Sequence, residues 1–424
     1  MSNSEIDIAS VMQRIGRAAR AASLALAESG IDQRNAALAN GAAELRRREA
    51  DIVDANREDL EHAKARGLGG ALLDRLMLNP ARIEGMASGL ENVMALPDPL
   101  GRTIAEWRQP NGLDIRRVSV PLGVIGIIYE SRPNVTADAA GLCIKAGNAS
   151  ILRGGSESYR SSRAVYECMR AGIESAGLDP NGVQMVPTTD RAAVGYLLSS
   201  MGNFVDVVVP RGGKKHVRGV QDEARVPVIG HLEGICHVYV HEDADANMAR
   251  DIVVNAKMRR TGICGAAETI LVDRAAAGTL LLQLVQALLD AGCEVRGDAA
   301  VQTASDDVKP ASDEDWSTEY LDAVVSMRVV DDVDAAVEHI RTFGSGHTES
   351  IVTSNDAAAT RFLNRVDSAI VLHNASTQFA DGGEFGMGAE IGIATGRIHA
   401  RGPVGAEQLT SFKYVVRGTG QTRA

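Results

Sequence analysis

The sequence has 424 residues and a formal net charge of 44 − 55 = −11 at pH 7, with 45% hydrophobic and 23% charged residues. A chain of this length is too long for one compact core, so we expect two or three domains. The composition is that of an ordinary globular enzyme. The negative charge argues against a general binder of nucleic acid or acidic membranes, although local arginines still allow a small anionic substrate. The acidic start, Met1–Asp7, has no apolar leader segment, and no run reaches the roughly 18 apolar residues that cross a bilayer, so we expect a cytoplasmic protein.

The N-terminal part of the chain has a helical pattern. Ile8, Val11, Met12 and Ile15 fall on one face, and a similar periodicity predicts that the helical region extends to about residue 97. Asn111-Gly112 then lies between two alternating segments, which predicts a β-hairpin near 106–118.

Strand and helix patterns alternate after the hairpin. A first cycle runs from residue 119 to about 209, and a second runs from 237 to 375. This rhythm indicates parallel sheets with helices on both faces. A last strand, Leu409–Arg417, is expected to pair either with the hairpin or with the edge of a neighbouring subunit.

Cys264 is the cysteine whose surroundings suit a reactive thiol. It follows Arg259-Arg260 and lies in the glycine-flanked stretch Thr261–Ala267, which we expect to open into a short helix. A thiol attacks as the thiolate, and its pKa falls beside cations and at helix N-termini. The pattern therefore predicts a nucleophile that forms a thioester.

The remaining cysteines have apolar or helical surroundings. Cys143, Cys168, Cys236 and Cys293 are expected to be small buried hydrophobic residues. The five cysteines show no paired spacing, no CxxC and no Cys/His cluster, so the sequence supports neither a disulfide framework nor a metal site.

Two glycine turns follow predicted strands and carry cations. They are Arg153–Glu157, with Gly154 and Ser156, and Pro210–Lys215, with Gly212 and Gly213. Ligands of open α/β sheets bind at the carboxyl ends of strands, where helix N-termini offer N–H groups to phosphate. Each turn alone is equally consistent with a plain tight turn, and no Gly-x-Gly-x-x-Gly follows a strand. Their shared position and charge favour a phosphorylated dinucleotide.

Asn134 follows a predicted strand and begins a helix. Its side-chain amide can stabilise an oxyanion, or it can simply cap the helix, and position alone does not separate the two. The glycine-rich stretch 376–403 is too long and too polar for a plain connection, so we expect a substrate loop. Arg397 and Arg401 can hold a carboxylate or phosphate, and His399 is either a structural hydrogen-bonder or a catalytic or phosphate contact.

Several long motifs resemble the γ-glutamyl phosphate reductase family, also called glutamate-5-semialdehyde dehydrogenases, of the aldehyde dehydrogenase superfamily. The resemblance covers essentially the whole chain. The segments that carry it are Ile128–Thr136, Lys145–Asn148, Leu152–Glu157, Val209–Lys214, His231–Val240, Gly344–Glu349 and the stretch from Asn374 to Val416.

The resemblance implies an aldehyde dehydrogenase-like α/β fold with two Rossmann-like domains and a small β element for oligomerisation. The implied domains are a cofactor-binding domain over 1–234, a catalytic domain over 235–375, and the substrate loop and C-terminal strand over 376–424. It also implies NADPH-dependent reduction of L-glutamyl 5-phosphate in proline biosynthesis. The partners expected are this small substrate, the upstream glutamate kinase and further copies of the chain, as a dimer or tetramer.

The resemblance also implies roles for single residues. Cys264 matches the nucleophile and Asn134 the oxyanion asparagine. Arg153 stands where related enzymes place a cofactor-contacting lysine, and Glu319 resembles the glutamate that holds the nicotinamide ribose. The chain departs from the family pattern beside the cysteine, with Thr261-Gly262 and Gly265 where many members carry proline and asparagine.

The implied mechanism is attack of the Cys264 thiolate on an acyl phosphate, loss of phosphate, and reduction of the thioester. Glu233 lies near the stretch that holds the base of hydrolytic aldehyde dehydrogenases, but the spacing Leu232–Ile235 does not match it cleanly, so Glu233 is not assigned a catalytic role. The rival interpretations are a hydrolytic aldehyde oxidiser, a reductase of another acyl phosphate such as aspartyl phosphate, and a non-catalytic binding protein on the same scaffold.

Overall fold

The computed structural model describes residues 7–423. The helices in this part of the chain are α1 Ile8–Glu28, α2 Ile31–Arg47, α3 Glu49–Ala65, α4 Gly70–Leu76, α5 Pro80–Ala95, α6 Val135–Lys145, α7 Tyr159–Ser175, α8 Ala192–Ser200, α9 Lys214–Glu223, α10 Ala246–Met258, α11 Arg274–Ala276, α12 Leu282–Asp290, α13 Ala299–Gln302, α14 Val333–Phe343 and α15 Asp356–Arg365. A π-helical turn, Ala277–Leu281, joins α11 to α12. The predicted N-terminal helices and the helix after the first strand are confirmed.

The strands in the same part of the chain are β1 Thr103–Arg108, β2 Asp114–Pro121, β3 Val124–Tyr129, β4 Ala149–Gly154, β5 Val183–Met185, β6 Val207–Arg211, β7 Cys236–Val240, β8 Ala267–Asp273, β9 Glu294–Gly297, β10 Lys309–Pro310, β11 Val324–Val330, β12 Thr348–Val352, β13 Ile370–His373, β14 Ile393–Ala394, β15 Gly402–Pro403 and β16 Thr410–Arg417. Short 3-10 turns are Ser156–Ser158, Pro180–Gly182, Asp313–Ser317, Thr377–Phe379 and Glu407–Leu409.

The chain divides into two compact units. The first contains the chain up to Gly230, the segment Gly386–Gly392 and the residues from Val404 onward. The second contains His231–Phe385 and Ile393–Pro403. The C-terminal region is therefore shared between the two units.

The first unit holds a four-stranded parallel sheet in the order β5-β4-β3-β6. All six residues of β3 are buried, as expected for an apolar strand covered on both faces. Because β3 is hydrogen-bonded to β4 on one side and to β6 on the other, the sheet changes direction beside β3. The carboxyl ends of these strands define the edge at which open α/β sheets bind ligands.

A separate antiparallel sheet in the first unit has the order β1-β2-β16. The predicted hairpin forms, with Gly112 at φ 91° in its turn, a conformation that favours glycine. The last strand pairs with β2 from Thr410↔Pro121 to Arg417↔Asp114. Of the two expected partners of the last strand, the hairpin is therefore the one observed within this chain.

The second unit holds a seven-stranded parallel sheet in the order β10-β9-β11-β8-β7-β12-β13. Its strands are rich in buried valine and isoleucine, and β7 and β8 are buried throughout. Helices α10 and α12 pack in the apolar core on one side, and α14 and α15 contribute to a second core around Tyr239 and Leu271. Helices on both faces confirm the predicted α/β class for this unit.

Polar caps fix where the helices of the second unit begin. The Asp245 side chain accepts from the Met248 amide at the start of α10. Asp332 and Asn355 cap α14 and α15 in the same way. The start of α10 is thus fixed, and its far end leads into the turn that contains Cys264.

Within residues 7–423, the helices are all too short or too polar to form a bilayer span.

Candidate active site

Cys264 lies in a turn between α10 and β8, and its side chain is partly exposed. The expectation of a helix after this cysteine is wrong, because the chain enters β8 at Ala267. β8 is buried and pairs with β7 and β11 in the middle of the sheet, which outweighs the local helix propensity of its alanines. A helix N-terminus therefore does not ionise this thiol.

Two histidines supply the cationic surroundings instead. The ligand atoms of His231, Cys264 and His347 all lie within 4.8 Å of one another. Burial raises the pKa of the Cys264 thiol, but the charge of His347 and the hydrogen bond to His231 are the largest opposing influences, and the pKa lies well below its ordinary value. The arrangement favours the thiolate form of Cys264 beside two imidazole rings.

Both histidine rings are fixed by neighbouring groups. His231 Nδ1 lies 2.6 Å from the Ile393 carbonyl oxygen, which leaves Nε2 for the sulfur. His347 is fully buried, and its Nδ1 lies 2.9 Å from Thr348 Oγ1. Its Nε2 has no hydrogen-bond partner among the described residues. The two rings meet edge to face with centroids 4.9 Å apart, so their orientation toward the cysteine is mutually constrained.

The Cys264 turn is packed closely by backbone. A Cβ on Gly234 would lie 2.0 Å from the Cys264 carbonyl oxygen, so this position has room only for glycine. The same carbonyl accepts a hydrogen bond from Cys236 Sγ at 3.0 Å. A Cβ on Gly265 would lie 3.1 Å from the Thr377 carbonyl oxygen. Close backbone approach thus favours glycine directly after Cys264.

The other four cysteines are buried, as predicted. Burial raises the pKa of each thiol, to about 11 for Cys168 and about 12 for Cys293. Cys264 is therefore distinguished from them in both exposure and ionisation.

Two carboxylates near the cysteine are already engaged. Glu319 Oε1 accepts from the Gly234 amide at 2.8 Å, and burial raises the pKa of this carboxyl. Glu268 is fully buried and 2.5 Å from Lys257 Nζ, and burial raises its pKa to about 7. Gly234, which carries the Glu319 contact, also packs on the Cys264 carbonyl, so Glu319 helps to fix that turn.

The site lies at the amino edge of the second sheet. Cys264 precedes β8, Cys236 begins β7, and His347 precedes β12. His231 and His347 have no role predicted from the sequence, although both lie in the motifs that carry the family resemblance. Their positions before strands could have indicated a role. His347 directly precedes β12, which pairs with β7, and His231 lies in the segment that leads into β7.

In the first unit, Asn134 precedes α6 in a helical conformation. Its side chain does not cap the helix; the amide donates to Asp138 Oδ2 at 3.0 Å. Burial raises the pKa of Asp138 to about 6, against the hydrogen bond from Asn134 and the charge of Arg211. The capping interpretation of Asn134 is therefore wrong, and the amide is oriented by a partner one turn further along the helix.

The first predicted cofactor turn lies at the carboxyl end of β4. Arg153 is 7% exposed, its Nη2 donates to the Thr189 carbonyl at 3.1 Å, and its Nε has no partner among the described residues. Burial lowers the pKa of this guanidinium. Glu157 Oε1 accepts from the Ser131 amide at 2.6 Å, while Ser156 is exposed. Gly154 packs closely on Tyr129, where a Cβ would lie 3.1 Å away.

The second predicted cofactor turn follows β6. Gly212 and Gly213 are exposed, and Gly213 precedes α9 without a side-chain cap. A Cβ on Gly213 would meet nothing within 4 Å. Because β6 neighbours β3, this turn and Asn134 both lie at the carboxyl ends of adjacent strands, where the sheet changes direction.

The residues predicted to bind substrate lie on a loop in the second unit. β14 and β15 pair as Ile393↔Pro403 and close this loop at its base, which packs beside Cys264. Arg401 Nη1 lies 2.6 Å from Asp367 Oδ1, and Arg397 pairs with the same carboxylate. His399 is exposed with φ 71°. The structure thus brings the two arginines together on one acid.

Comparison with known proteins agrees with this geometry. Residues 5–303 match the sequence model described as the aldehyde dehydrogenase family, which is the class that the fold and the cysteine site define. The chain is 62% identical over 417 residues to a γ-glutamyl phosphate reductase from Paramagnetospirillum magneticum, and 61% identical to one from Parvibaculum lavamentivorans, covering 98% of each chain in both cases.

Solved structures indicate the same family as these relatives. The crystal structure of γ-glutamyl phosphate reductase from Thermotoga maritima superposes with a TM-score of 0.94 at 42% identity, covering 97% of this chain and 100% of that one. An acetylating aldehyde dehydrogenase from Geobacillus thermoglucosidasius shares the fold, with a TM-score of 0.71 at 17% identity over 99% and 100% of the two chains. The chain belongs to the γ-glutamyl phosphate reductases of the aldehyde dehydrogenase family.

Proposed function

We propose that the protein reduces L-glutamyl 5-phosphate to L-glutamate 5-semialdehyde with release of phosphate, the second step of proline biosynthesis. The observation that carries this proposal is the Cys264 thiol, whose pKa is lowered by His347 and His231 against the effect of burial. An ionised thiol can attack an acyl phosphate directly. The full-length identity to proteins named γ-glutamyl phosphate reductase supports this substrate.

The thiolate of Cys264 attacks the acyl carbon, so a C–S bond forms and the C–O bond to phosphate breaks. The phosphate leaves with the bonding electron pair. The imidazolium that took the thiol proton, His347 or His231, returns it to the leaving group. Asn134, whose side-chain amide is oriented by Asp138, is assigned the oxyanion-stabilising role that the family resemblance implies.

The cofactor proposed is NADPH, which supplies the hydride that reduces the thioester when it is bound. The residues of the first unit suit its phosphates: the Arg153 Nε lacks a partner among the described residues, and Gly213 precedes α9 with open space beside it. Gly154, Ser156, Glu157 and Gly212 complete the two turns. Glu319 is assigned to the nicotinamide ribose.

The carboxylates near Cys264 favour a reductase over a hydrolytic oxidiser. A hydrolytic enzyme needs a carboxylate base that delivers water to the thioester. Glu319 accepts a hydrogen bond from the Gly234 amide, and Glu268 pairs with Lys257, so both carboxylates already have partners. These contacts support the assignment of neither residue as the water-activating base.

The proposal also assigns the parts of the chain, the substrate-binding residues and a partner. The cofactor-binding part comprises 1–234, the catalytic part 235–375, and the substrate loop with the last strand 376–424. Arg397, His399 and Arg401 are assigned to the substrate, with Asp367 holding the two arginines between turnovers. The upstream glutamate kinase is the partner that would supply the unstable acyl phosphate.

A homo-oligomer, a dimer or tetramer, is proposed through the β1-β2-β16 sheet. This sheet exposes large apolar side chains, with Trp107 41% and Tyr414 57% exposed, and the two rings meet with centroids 6.2 Å apart. An exposed aromatic surface of this kind is typical of an interface.

The reverse reaction tests the proposed function. Semialdehyde and NADP⁺ are supplied with and without inorganic phosphate, and NADPH formation is followed. We expect steady turnover only with phosphate, because phosphate must discharge the Cys264 thioester. Turnover at the same rate without phosphate would favour a hydrolytic aldehyde oxidiser. Faster turnover with aspartate semialdehyde would indicate another acyl phosphate.

A further inference from the structure

His231, Cys264 and His347 form a cluster that the sequence spacing does not reveal. They come from three separate segments, yet their ligand atoms lie within 4.8 Å of one another. Two imidazoles and one thiolate are soft ligands of the kind that bind Zn²⁺. The expectation that the cysteines take part in no metal site rested on spacing alone, and the fold brings together residues that are distant in sequence.

The cluster has the dimensions of a tetrahedral site. Zinc binds sulfur at about 2.3 Å and imidazole nitrogen at about 2.0 Å, so its ligands lie roughly 3.3–3.6 Å apart. Ligand atoms within 4.8 Å reach these separations by small side-chain rotations. Three protein ligands would leave the fourth position open to water or an anion, as in catalytic zinc sites.

Each histidine has the support that a metal ligand requires. His231 Nδ1 contacts the Ile393 carbonyl at 2.6 Å, and His347 Nδ1 contacts Thr348 Oγ1 at 2.9 Å. The carbonyl contact requires a proton on His231 Nδ1 and leaves its Nε2 as a ligand, and the threonine contact holds the ring of His347 in place. His347 Nε2 is buried without a hydrogen-bond partner among the described residues, so a metal would satisfy a polar atom that is otherwise unsatisfied.

We propose that Cys264, His231 and His347 form a binding site for a thiophilic divalent cation, with Zn²⁺ as the preferred ion. Binding releases to solvent any proton held by the thiol or the two imidazoles, forms one metal–sulfur and two metal–nitrogen bonds, and involves no redox change. The bound metal withdraws the thiolate from reaction, so Zn²⁺ reversibly inhibits the enzyme. The inhibition rests on the proposed function, whereas the binding does not.

A second group of possible ligands, His241, Glu242 and Asp243, is a weaker candidate. His241 Nδ1 already lies 3.1 Å from Thr353 Oγ1, and the two carboxylates are exposed. It contains no thiolate, so a spectroscopic signal from sulfur separates the two groups.

Titration of the chelator-treated protein with Co²⁺ tests the proposal, because a thiolate ligand gives a sulfur-to-cobalt charge-transfer band. We expect this band to saturate at about one equivalent and to disappear on addition of Zn²⁺, which binds more tightly than Co²⁺. Cys264→Ser should abolish the band. His231→Gln and His347→Gln should each weaken Co²⁺ binding by roughly 10–100-fold.

Matched variants complete the experiment. Cys236→Ser changes a buried thiol 3.5 Å from His347 Nδ1, and Glu242→Gln changes the second group; both should retain the band. Absence of the band in the unmodified protein, or its survival in Cys264→Ser, would overturn the metal site. A saturated band with undiminished NADPH oxidation would instead overturn the assignment of Cys264 as the nucleophile.

Discussion

His347 lies beside Cys264, and its charge is the largest of the influences that lower the pKa of this thiol against the effect of burial. His347 is itself fully buried and held by Thr348 Oγ1. The charge that lowers the pKa of this thiol thus comes from the residue before β12, a strand that β7 separates from β8. The chain's local sequence, with its two arginines, does not provide this interaction.

His347→Gln should raise the pKa of the Cys264 thiol and slow its alkylation by iodoacetamide at about pH 7 by roughly tenfold or more, because less thiolate is present. In the unmodified protein, the rate of alkylation should fall only at pH values well below the ordinary thiol pKa, because Cys264 stays ionised above them. The measurement is the rate of adduct formation on the Cys264 peptide as a function of pH. His62→Gln, at an exposed histidine on α3, is the control, and equal rates in both variants would contradict the account.

Asp138→Asn should stabilise the protein relative to the unmodified chain, and this gain should be larger at neutral pH than at acidic pH. Burial raises the pKa of Asp138 from 3.8 to about 6, so the folded state holds a proton that the unfolded chain loses between about pH 4 and pH 6. Stability is therefore lost as pH rises through this window. A rise in the pKa of Asp138 from 3.8 to about 6 corresponds to at most about 3 kcal/mol at pH 7.

Urea unfolding of the Asp138→Asn variant at several pH values measures this difference. The stability gain should be largest at about pH 7 and should shrink toward pH 4. Asp307→Asn, at an exposed carboxylate, is the matched control. A gain that grows toward acid pH would show the opposite linkage and contradict the assignment.

Gly234→Ala should disrupt the Cys264 turn. The added Cβ would lie 2.0 Å from the Cys264 carbonyl oxygen, and backbone cannot yield there without displacing the nucleophile. We expect a loss of roughly 1–3 kcal/mol in the free energy of unfolding and at least about tenfold in kcat. Gly278→Ala, where a Cβ meets nothing within 4 Å, should show neither effect in thermal unfolding or kinetics.

Arg401→Ala should raise the KM for semialdehyde or phosphate by roughly tenfold while kcat changes less, because a bidentate anion contact contributes about 1.5–3 kcal/mol. Steady-state kinetics in the reverse direction measure both constants. Arg341→Ala, which removes an exposed arginine paired with Glu338, is the control. An unchanged KM in Arg401→Ala would exclude this arginine from substrate binding.

Local patterns predicted much of the fold. The strand Val124–Tyr129 and the helix Val135–Lys145 lie within the predicted strand–helix alternation, because a continuous apolar run or a helical pattern specifies each locally. The helix expected after Cys264 failed because alanine and glycine there lie against β7 and β11, and pairing in a central sheet overrides weak helix propensity.

The candidate site was only partly visible in the sequence. Cys264 was identified because its glycine flanks and nearby cations are local features. His231 and His347 come from segments that are distant in sequence and that the fold brings beside Cys264, and no spacing rule connects either histidine with it. The orientation of Asn134 by Asp138 was missed for a different reason: an asparagine before a helix usually caps it, and only the observed helical conformation of Asn134 rules that out.

The most direct test of the central claim is a single turnover without phosphate. Semialdehyde and NADP⁺ are mixed with the protein, NADPH is measured, and the protein is digested and examined by mass spectrometry. We expect a burst of about one NADPH per active site and a glutamyl group on the Cys264 peptide. Added phosphate should remove this glutamyl group. Continued turnover without phosphate, or a glutamyl group on any other residue, would contradict it.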